Sequence, residues 1–462
     1  MRAFAASWRG RWTAWAIVVL SVYLATTSTV HAVNDVLSAD LGAWRIATTG
    51  TPWLDHYPLT QFAADHTREG QHLWINTAQN GHTVVFRSPG AVAAGIPAYL
   101  IARLLGGGAT APSDFSLAPA ALEASLLTLV ALLFFALALQ PRLGHARTMA
   151  AVTVLGFTTP LWSVNADSLW PHTVTVFGIA GMAWAASRDR WWLVGLFGGV
   201  ALWGRLHAVL VVAILGLGVG VWQRRPDIVL KAGTVSAAFL AGATLWSRWV
   251  YGEWDPAGGY GTVADYADKA ATNSSTDLLG VLANEAGLWV SPGRGILVWT
   301  PLLIVLFPAV LRSWRTLPDW TRVLALSGVA YATAQGLMNE FGGGMNFHGY
   351  RLTLELLACL FPAYALSLPE AGRTARAWIP PTLGLQAGII GLGSVFTLGS
   401  VYNDQAWSYL WAVAPPQRAP LLLILGAAFA ALGWVVPRMI RTWRCERKLS
   451  FDSPAKEPEL TA

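Results

Sequence analysis

Charged residues are scarce in this chain. Asp, Glu, Lys and Arg make up 12% of its 462 residues, while 54% are hydrophobic; an ordinary soluble domain is about 25% charged. That balance excludes a string of soluble domains and leaves one polytopic membrane domain. Cysteine is nearly absent. Cys359 falls in an apolar run and Cys445 in the C-terminal region, so no disulfide framework supports the fold. The formal charge of +6 is not gathered on a soluble face, which excludes nucleic acid as a partner. There is no internal repeat, and no low-complexity tract beyond a polar tail.

Tryptophan is what the chain has in excess. Its 25 indoles suit a protein with two membrane interfaces, where such rings prefer to sit. Apolar runs of spanning length fall near residues 13–33, 118–139, 148–165, 172–187, 191–204, 206–222, 229–249, 297–311, 322–338, 352–368, 378–400 and 420–437. The fold class expected is therefore an all-α polytopic membrane protein of about 12 transmembrane helices, with one transmembrane domain over 1–440 and a polar cytoplasmic tail over 441–462. With both termini inside, roughly two thirds of the 31 lysines and arginines lie on inner segments, the positive-inside pattern. Residues 89–105 are apolar enough to cross, but crossing would invert every later loop. They are read as a helix at or dipping into the outer surface. The start of the chain mimics a secretory signal ending at Val30-His31-Ala32. Its apolar run is longer than a signal core, which favours an uncleaved first span.

The loops are lopsided. Inner turns are short, whereas outer loops 34–117 and 250–296 are long. A third, 339–351, is glycine-rich, and a fourth, 401–419, carries Trp407, Tyr409 and Trp411. Function is therefore expected on the outer face. In the first loop, Leu37, Leu41 and Trp44 recur at helical spacing, with Asn34 as N-cap and Gly50 and Pro52 as stop signals. This predicts an amphipathic interfacial helix over 35–49. It carries two acids, Asp35 and Asp40. Five residues separate them, about 140° around a helix, so they do not form a paired-carboxylate site. On structural grounds alone Asp35 caps the helix and Asp40 faces water.

The run from Asn34-Asp-Val-Leu-Ser-Ala-Asp40 to Gly50 resembles the start of the GT-C glycosyltransferases, membrane enzymes that use polyprenyl-phosphate sugars. Members similar to the protein-mannosyl and aminoarabinose transferases carry an acid just after the first span, then an amphipathic helix, then a glycine about fifteen residues on. Asp35 and Gly50 have that spacing, although the neighbours of Asp35 are Asn34 and Val36 where the family often shows adjacent acids. Asn80-Gly-His-Thr-Val-Val-Phe-Arg-Ser-Pro-Gly90 resembles the family's strand followed by a surface helix. Gly156–Trp162 with Ser168–His172, Trp289–Ile296 and Gly342–Arg351 are similar to its later outer-loop segments.

The resemblance implies an inverting glycosyltransferase. It would move a sugar from a polyprenyl-phosphate donor to a hydroxyl acceptor, either a glycolipid, an envelope glycan or a protein, on the outer face of a plasma-type membrane. Asp35 is carried over as the catalytic base and Asp40 as second choice, since a carboxylate takes the acceptor's proton. Arginine suits the departing phosphate, so Arg205, Arg351 and Arg294 are the donor-phosphate candidates. His172, Asp167, His348 and Arg87 are candidates for sugar or acceptor. Glu355 is expected to pair with Arg351 along a helix surface, and Trp254, Tyr260 and Tyr266 to line a groove or seat the loop. A monophosphate carrier gives no strong need for a divalent metal, so no cofactor is expected to be essential. A secondary transporter or flippase of an envelope precursor, and a lipid-linked glycan polymerase or ligase, are the alternatives. Transport does not require the bulky first outer loop, and polymerases place their large loop late.

Overall fold

A computed structural model describes residues 7–27, 29, 33–67, 73–106, 111–260, 278–344 and 347–396. The expected last span, the loop 401–419, the polar tail and Tyr266 lie outside the described residues. The described chain is almost entirely helical. Helix α1 covers Trp8–Thr26, and the Ser7 hydroxyl accepts a hydrogen bond from the Gly10 amide at its start. Helix α2 covers Asn34–Thr49 and ends at Gly50, whose φ of 77° is the left-handed stop that glycine supplies. Asn34 is not its cap: Val33 holds that position without a side-chain hydrogen bond. Helix α3, Leu59–His66, leads to a short hairpin of β1, Ile75–Thr77, and β2, Thr83–Val85. The strands are antiparallel, with Asn76 opposite Val84. Helix α4 follows at once over Pro89–Leu104, with proline in its first turn.

The remaining helices form the main bundle. They are α5, Ala118–Phe157; α6, Pro171–Ser187; α7, Trp191–Gly204; α8, Val209–Trp222; and α9, Pro226–Val250. Then come α10, Leu278–Val290; the single turn α11, Ile296–Trp299; α12, Leu302–Ser313; α13, Asp319–Met338; α14, Leu354–Ser367; and α15, Arg373–Phe396. Helix α5 leaves helical geometry at Gly144 (φ 73°, ψ 169°), three residues after Pro141. Its two rods cover the expected run 118–139 and the first part of 148–165, and the break falls at the basic turn of Arg142 and Arg147.

Among the described residues, two helical stretches are long and apolar enough to cross a bilayer unaided, Pro112–Phe157 and Pro226–Val250. The expected count of twelve is therefore not reached by that measure. The other helices at the expected spans are shorter, more polar or broken, as at Thr300-Pro301 between α11 and α12. The bundle's outside is nonetheless apolar: Ile17, Val221, Leu230, Leu245 and Leu311 all stand exposed.

The segment expected as the first outer loop is not a free loop. Leu37, Leu41, Trp44, Phe62, Val92, Tyr99 and Phe115 form a core of their own, closed against Leu169 and Val174 of the bundle. Helix α4 packs on α2 with one face and leaves Leu100, Ile101 and Leu104 exposed on another, as a helix at the bilayer surface would. Its first turn is driven hard against the bundle. A Cβ on Gly90 would stand 2.5 Å from the Gly204 nitrogen and 2.6 Å from the Trp203 carbonyl oxygen. Only glycine allows the start of α4 to meet the end of α7 so closely.

Gly42 makes a matched control, because a Cβ there meets only Val85 and Val92 at 3.6 Å, ordinary contact. Gly90→Ala is expected to destabilise by roughly 1–3 kcal/mol through overpacking. Gly42→Ala is expected to be neutral or to stabilise by up to about 1 kcal/mol through helix propensity. Thermal unfolding of both variants in nanodiscs checks this, and equal melting of the two would refute the close approach.

Candidate active site at the start of the interfacial helix

Asp35 lies in the first turn of α2 and is held from two sides. Its Oδ1 accepts a hydrogen bond from Arg87 Nη2 at 2.5 Å, and its Oδ2 accepts one from Arg351 Nη1 at 2.6 Å. Side-chain exposure is 25% for Asp35, 13% for Arg87 and 17% for Arg351, so the trio sits in a crevice that solvent still reaches. The arginines are seated on aromatic faces. Arg87 lies 4.5 Å from the Trp74 ring centre, and Arg351 lies 4.9 Å from that of Trp170 and 5.1 Å from that of Phe347. Arg87 comes directly after the hairpin. The Tyr251 hydroxyl donates to its carbonyl at 2.8 Å, and Gly259 closes on that same carbonyl where a Cβ would come within 2.3 Å. Burial alone would raise the Asp35 carboxyl. The two guanidiniums and the hydrogen bond from Arg351 outweigh it and hold the group well below the usual carboxylate range.

Beside this trio runs a buried polar chain. His172, the second residue of α6, is 1% exposed, and Glu355, in the first turn of α14, is fully buried. Their Nδ1 and Oε1 atoms are 2.7 Å apart. Arg205 caps the end of α7; its Nη1 lies 2.7 Å from His172 Nε2, and its Nη2 donates to Gln335 Oε1 at 2.9 Å. Gln335 Oε1 also lies 2.7 Å from His207 Nε2, and the His207 ring stacks on Tyr331. The two groups are neighbours. Trp170, under Arg351, is two residues from His172, and Tyr260 is within electrostatic reach of both Arg87 and Arg205.

The structure places the other sequence candidates elsewhere. Asp40 is 1% exposed rather than facing water, and its Oδ1 meets no hydrogen-bond partner among the described residues. It packs into the α2–α4 core within electrostatic reach of Tyr99, and burial raises its carboxyl well above the ordinary value. Helical spacing turns it away from the arginines that hold Asp35. Arg294 is buried with its guanidinium turned to main chain. It donates to the carbonyls of Gly344 at 2.5 Å and Gly349 at 3.0 Å, and lies 3.8 Å from the Phe347 ring centre. It thus braces the glycine-rich segment that presents Arg351, and its terminal nitrogens are turned to main-chain carbonyls. His348 is buried against α15, with Nε2 donating to the Ile389 carbonyl at 2.9 Å. The Asp167 side chain accepts from Ser168 Oγ at 3.3 Å, in the turn before α6. Glu355 pairs with His172 and not with Arg351, whose partner is Asp35. Gln335 belongs to no motif in the sequence. A polar amide inside an apolar run was the available signal.

Among the described residues no group of three or more His, Cys, Asp or Glu is placed to hold a metal ion. No family model and no curated protein matches the sequence. Among solved structures, the chain is similar to the crystal structure of the Archaeoglobus fulgidus oligosaccharyltransferase in its apo form, with TM-score 0.46 and 11% identity over 89% of this chain and 59% of that one. It is similar to the same enzyme in complex with zinc and sulfate, with TM-score 0.44 and 10% identity over 85% of this chain and 53% of that one. A third, the archaeal oligosaccharyltransferase AglB with an inhibitory peptide and a dolichol-phosphate, gives TM-score 0.44 and 10% identity over 91% and 60%. The chain thus spans between 53% and 60% of the length of these three structures. At such scores the likeness does not say which residues act.

The two acids carry opposite pH signatures. Asp35 titrates lower in the folded chain than in the unfolded one. Its contribution is present above the unfolded value of about 3.9 and is lost as pH falls through the folded one. Asp40 titrates higher when folded. The unfolded chain releases that proton above about pH 4, so stability falls as pH rises from there toward the folded value. Asp40→Asn is therefore expected to melt like wild type near pH 4 and at a higher temperature at pH 8. Asp35→Asn is expected to melt lower than wild type at neutral pH and to converge with it in acid. Melting curves across pH check both signs, and a loss of stability in Asp40→Asn at pH 8 would contradict the buried, unpartnered carboxyl.

Proposed function

We propose that this chain is a membrane glycosyltransferase of the GT-C type. It moves a sugar from a polyprenyl-phosphate carrier to a hydroxyl acceptor, with inversion, on the outer face of the membrane; the acceptor belongs to a glycolipid, an envelope glycan or a protein. The observation that carries this reading is Asp35 between Arg87 and Arg351 at the start of an interfacial helix. The centre combines a carboxylate that can take a proton with guanidiniums that can take a phosphate.

The charges support a monophosphate carrier. Arg87, Arg351 and Arg205 oppose Asp35 and Glu355, which leaves these groups with one positive charge in excess. A polyprenyl-phosphate sugar is a phosphodiester with one negative charge, and it neutralises that excess. Arginine binds such a group through two parallel hydrogen bonds. As the phosphate draws Arg87 and Arg351 to itself, Asp35 is released from them and its affinity for a proton rises. The acceptor oxygen then attacks the anomeric carbon from the side opposite the phosphate. The bond from that carbon to the phosphate oxygen breaks, and its electron pair leaves on the phosphate, where the arginines stabilise it. The acceptor proton passes to Asp35. Arg87, first read as a sugar or acceptor ligand, thereby joins Arg351 in the donor-phosphate set, and Arg294 leaves it. Arginines supply the positive charge in this scheme, and no step requires a metal. Membrane topology with both termini inside belongs to the same proposal.

Purified protein in nanodiscs, given a panel of polyprenyl-phosphate sugars, tests it. Asp35→Asn is expected to lower kcat by about 10²–10⁴-fold. It is also expected to lower KM for the donor, because the competitor for the arginines is gone. Arg87→Ala and Arg351→Ala should raise donor KM, while Asp40→Asn keeps most activity. Transfer that survives Asp35→Asn, or is lost only in Asp40→Asn, would overturn the assignment.

A further inference from the structure

His172, Glu355 and Gln335 are not the hydrogen-bond partners of Asp35, yet all three are buried in an apolar bundle where polar and ionisable groups are costly. Their hydrogen bonds fix their chemical state. Arg205 carries only donors, so His172 Nε2, at 2.7 Å from Arg205 Nη1, must accept. The ring proton is then on Nδ1, which donates to Glu355 Oε1 at 2.7 Å. His172 is thus neutral and in the Nδ1–H form, a bridge between a buried carboxylate and a guanidinium. Gln335 Oε1 takes a hydrogen from the other terminal nitrogen of Arg205 at 2.9 Å and is itself steadied by His207 at 2.7 Å. Two acceptors on the two terminal nitrogens set the plane of the guanidinium, and only one of them, His172, depends on a tautomer.

We propose that Glu355, acting through the Nδ1–H form of His172, is a positioning residue that fixes Arg205 as the third cation of the donor-phosphate site. This rests on the glycosyltransferase reading above. Removing Glu355 leaves His172 free to move its proton to Nε2, where it would point an N–H at the arginine and push it out of register. The effect of Glu355 on the donor therefore passes through a ring that does not itself touch the donor.

The experiment combines kinetics in nanodiscs with nitrogen-15 NMR of labelled histidines. In the wild-type protein His172 should show a protonated Nδ1 and an unprotonated Nε2; the reverse tautomer or an imidazolium would overturn the proposal without any variant. His172→Phe and Glu355→Leu should each raise donor KM by about 10- to 100-fold, the worth of one hydrogen bond to a charged group, with kcat changed much less. His172→Gln, which restores one donor and one acceptor, should recover most of the loss. The double variant His172→Phe/Glu355→Leu should be no worse than either single one, because both act on Arg205 by one route. Additive losses, or a KM untouched in folded His172→Phe, would overturn the proposal. A wild-type protein that neither binds polyprenyl phosphate nor transfers from any donor would instead remove the glycosyltransferase reading, and the donor-positioning role with it.

Discussion

The whole centre depends on keeping poorly solvated charges close together without letting them cancel. Asp35 between Arg87 and Arg351 is the clearest case. One carboxylate against two guanidiniums leaves a local excess of positive charge, which the apolar surroundings magnify. A carboxylate with a single arginine would be a neutral structural pair. Here the second arginine leaves a charge that an anion could match, which is what the proposed donor site requires.

Helix ends make this arrangement tolerable. Asp35, His172 and Glu355 lie in the first turns of α2, α6 and α14, where the dipole favours negative charge and unpaired amides gather. Arg205 caps the end of α7, where carbonyls favour a cation, and Gln335 in the last turn of α13 turns its side-chain oxygen to it. Three helices therefore begin, and two end, around one centre. The close backbone approach at Gly90 and Gly204 brings the start of α4 into the same layer, and Arg87 with it. The buried ionisable groups of this centre thus stand where backbone dipoles already point the right way.

Much of this was legible in the sequence. Periodicity and the Gly50 stop gave the interfacial helix to within a residue, because an amphipathic pattern between clear breakers leaves little choice. The strand, Pro-Gly and surface-helix order at 80–105 was also readable. The separation of Asp35 from Asp40 followed from helical geometry alone. The pairings were not legible. Glu355 lies one turn from Arg351, so local spacing predicted that they bond; tertiary packing instead gave Glu355 to His172, 183 residues away, and Arg351 to Asp35, 316 residues away. Local rules cannot see such partners. Arg294 misled for a related reason: a Pro-Gly-Arg-Gly turn looks like a flexible anion loop, but its arginine folds back onto carbonyls of the next outer segment.

Asp40 shows where physical cost and function part company. A buried carboxyl without a partner on one oxygen is the sort of feature that invites a catalytic assignment. Burial and not a cation sets its protonation, and its displacement around the helix keeps it from the arginines. Burial that raises a carboxyl makes it neutral, and a neutral acid in an apolar core cannot hold a phosphate ligand in place. Asp35 has the opposite character. It stays ionised because two cations hold it so, and under the proposed mechanism it would become a better base once something more anionic took those cations away. The perturbation that the proposed catalysis would use is therefore not the larger burial but the one that a substrate could reverse.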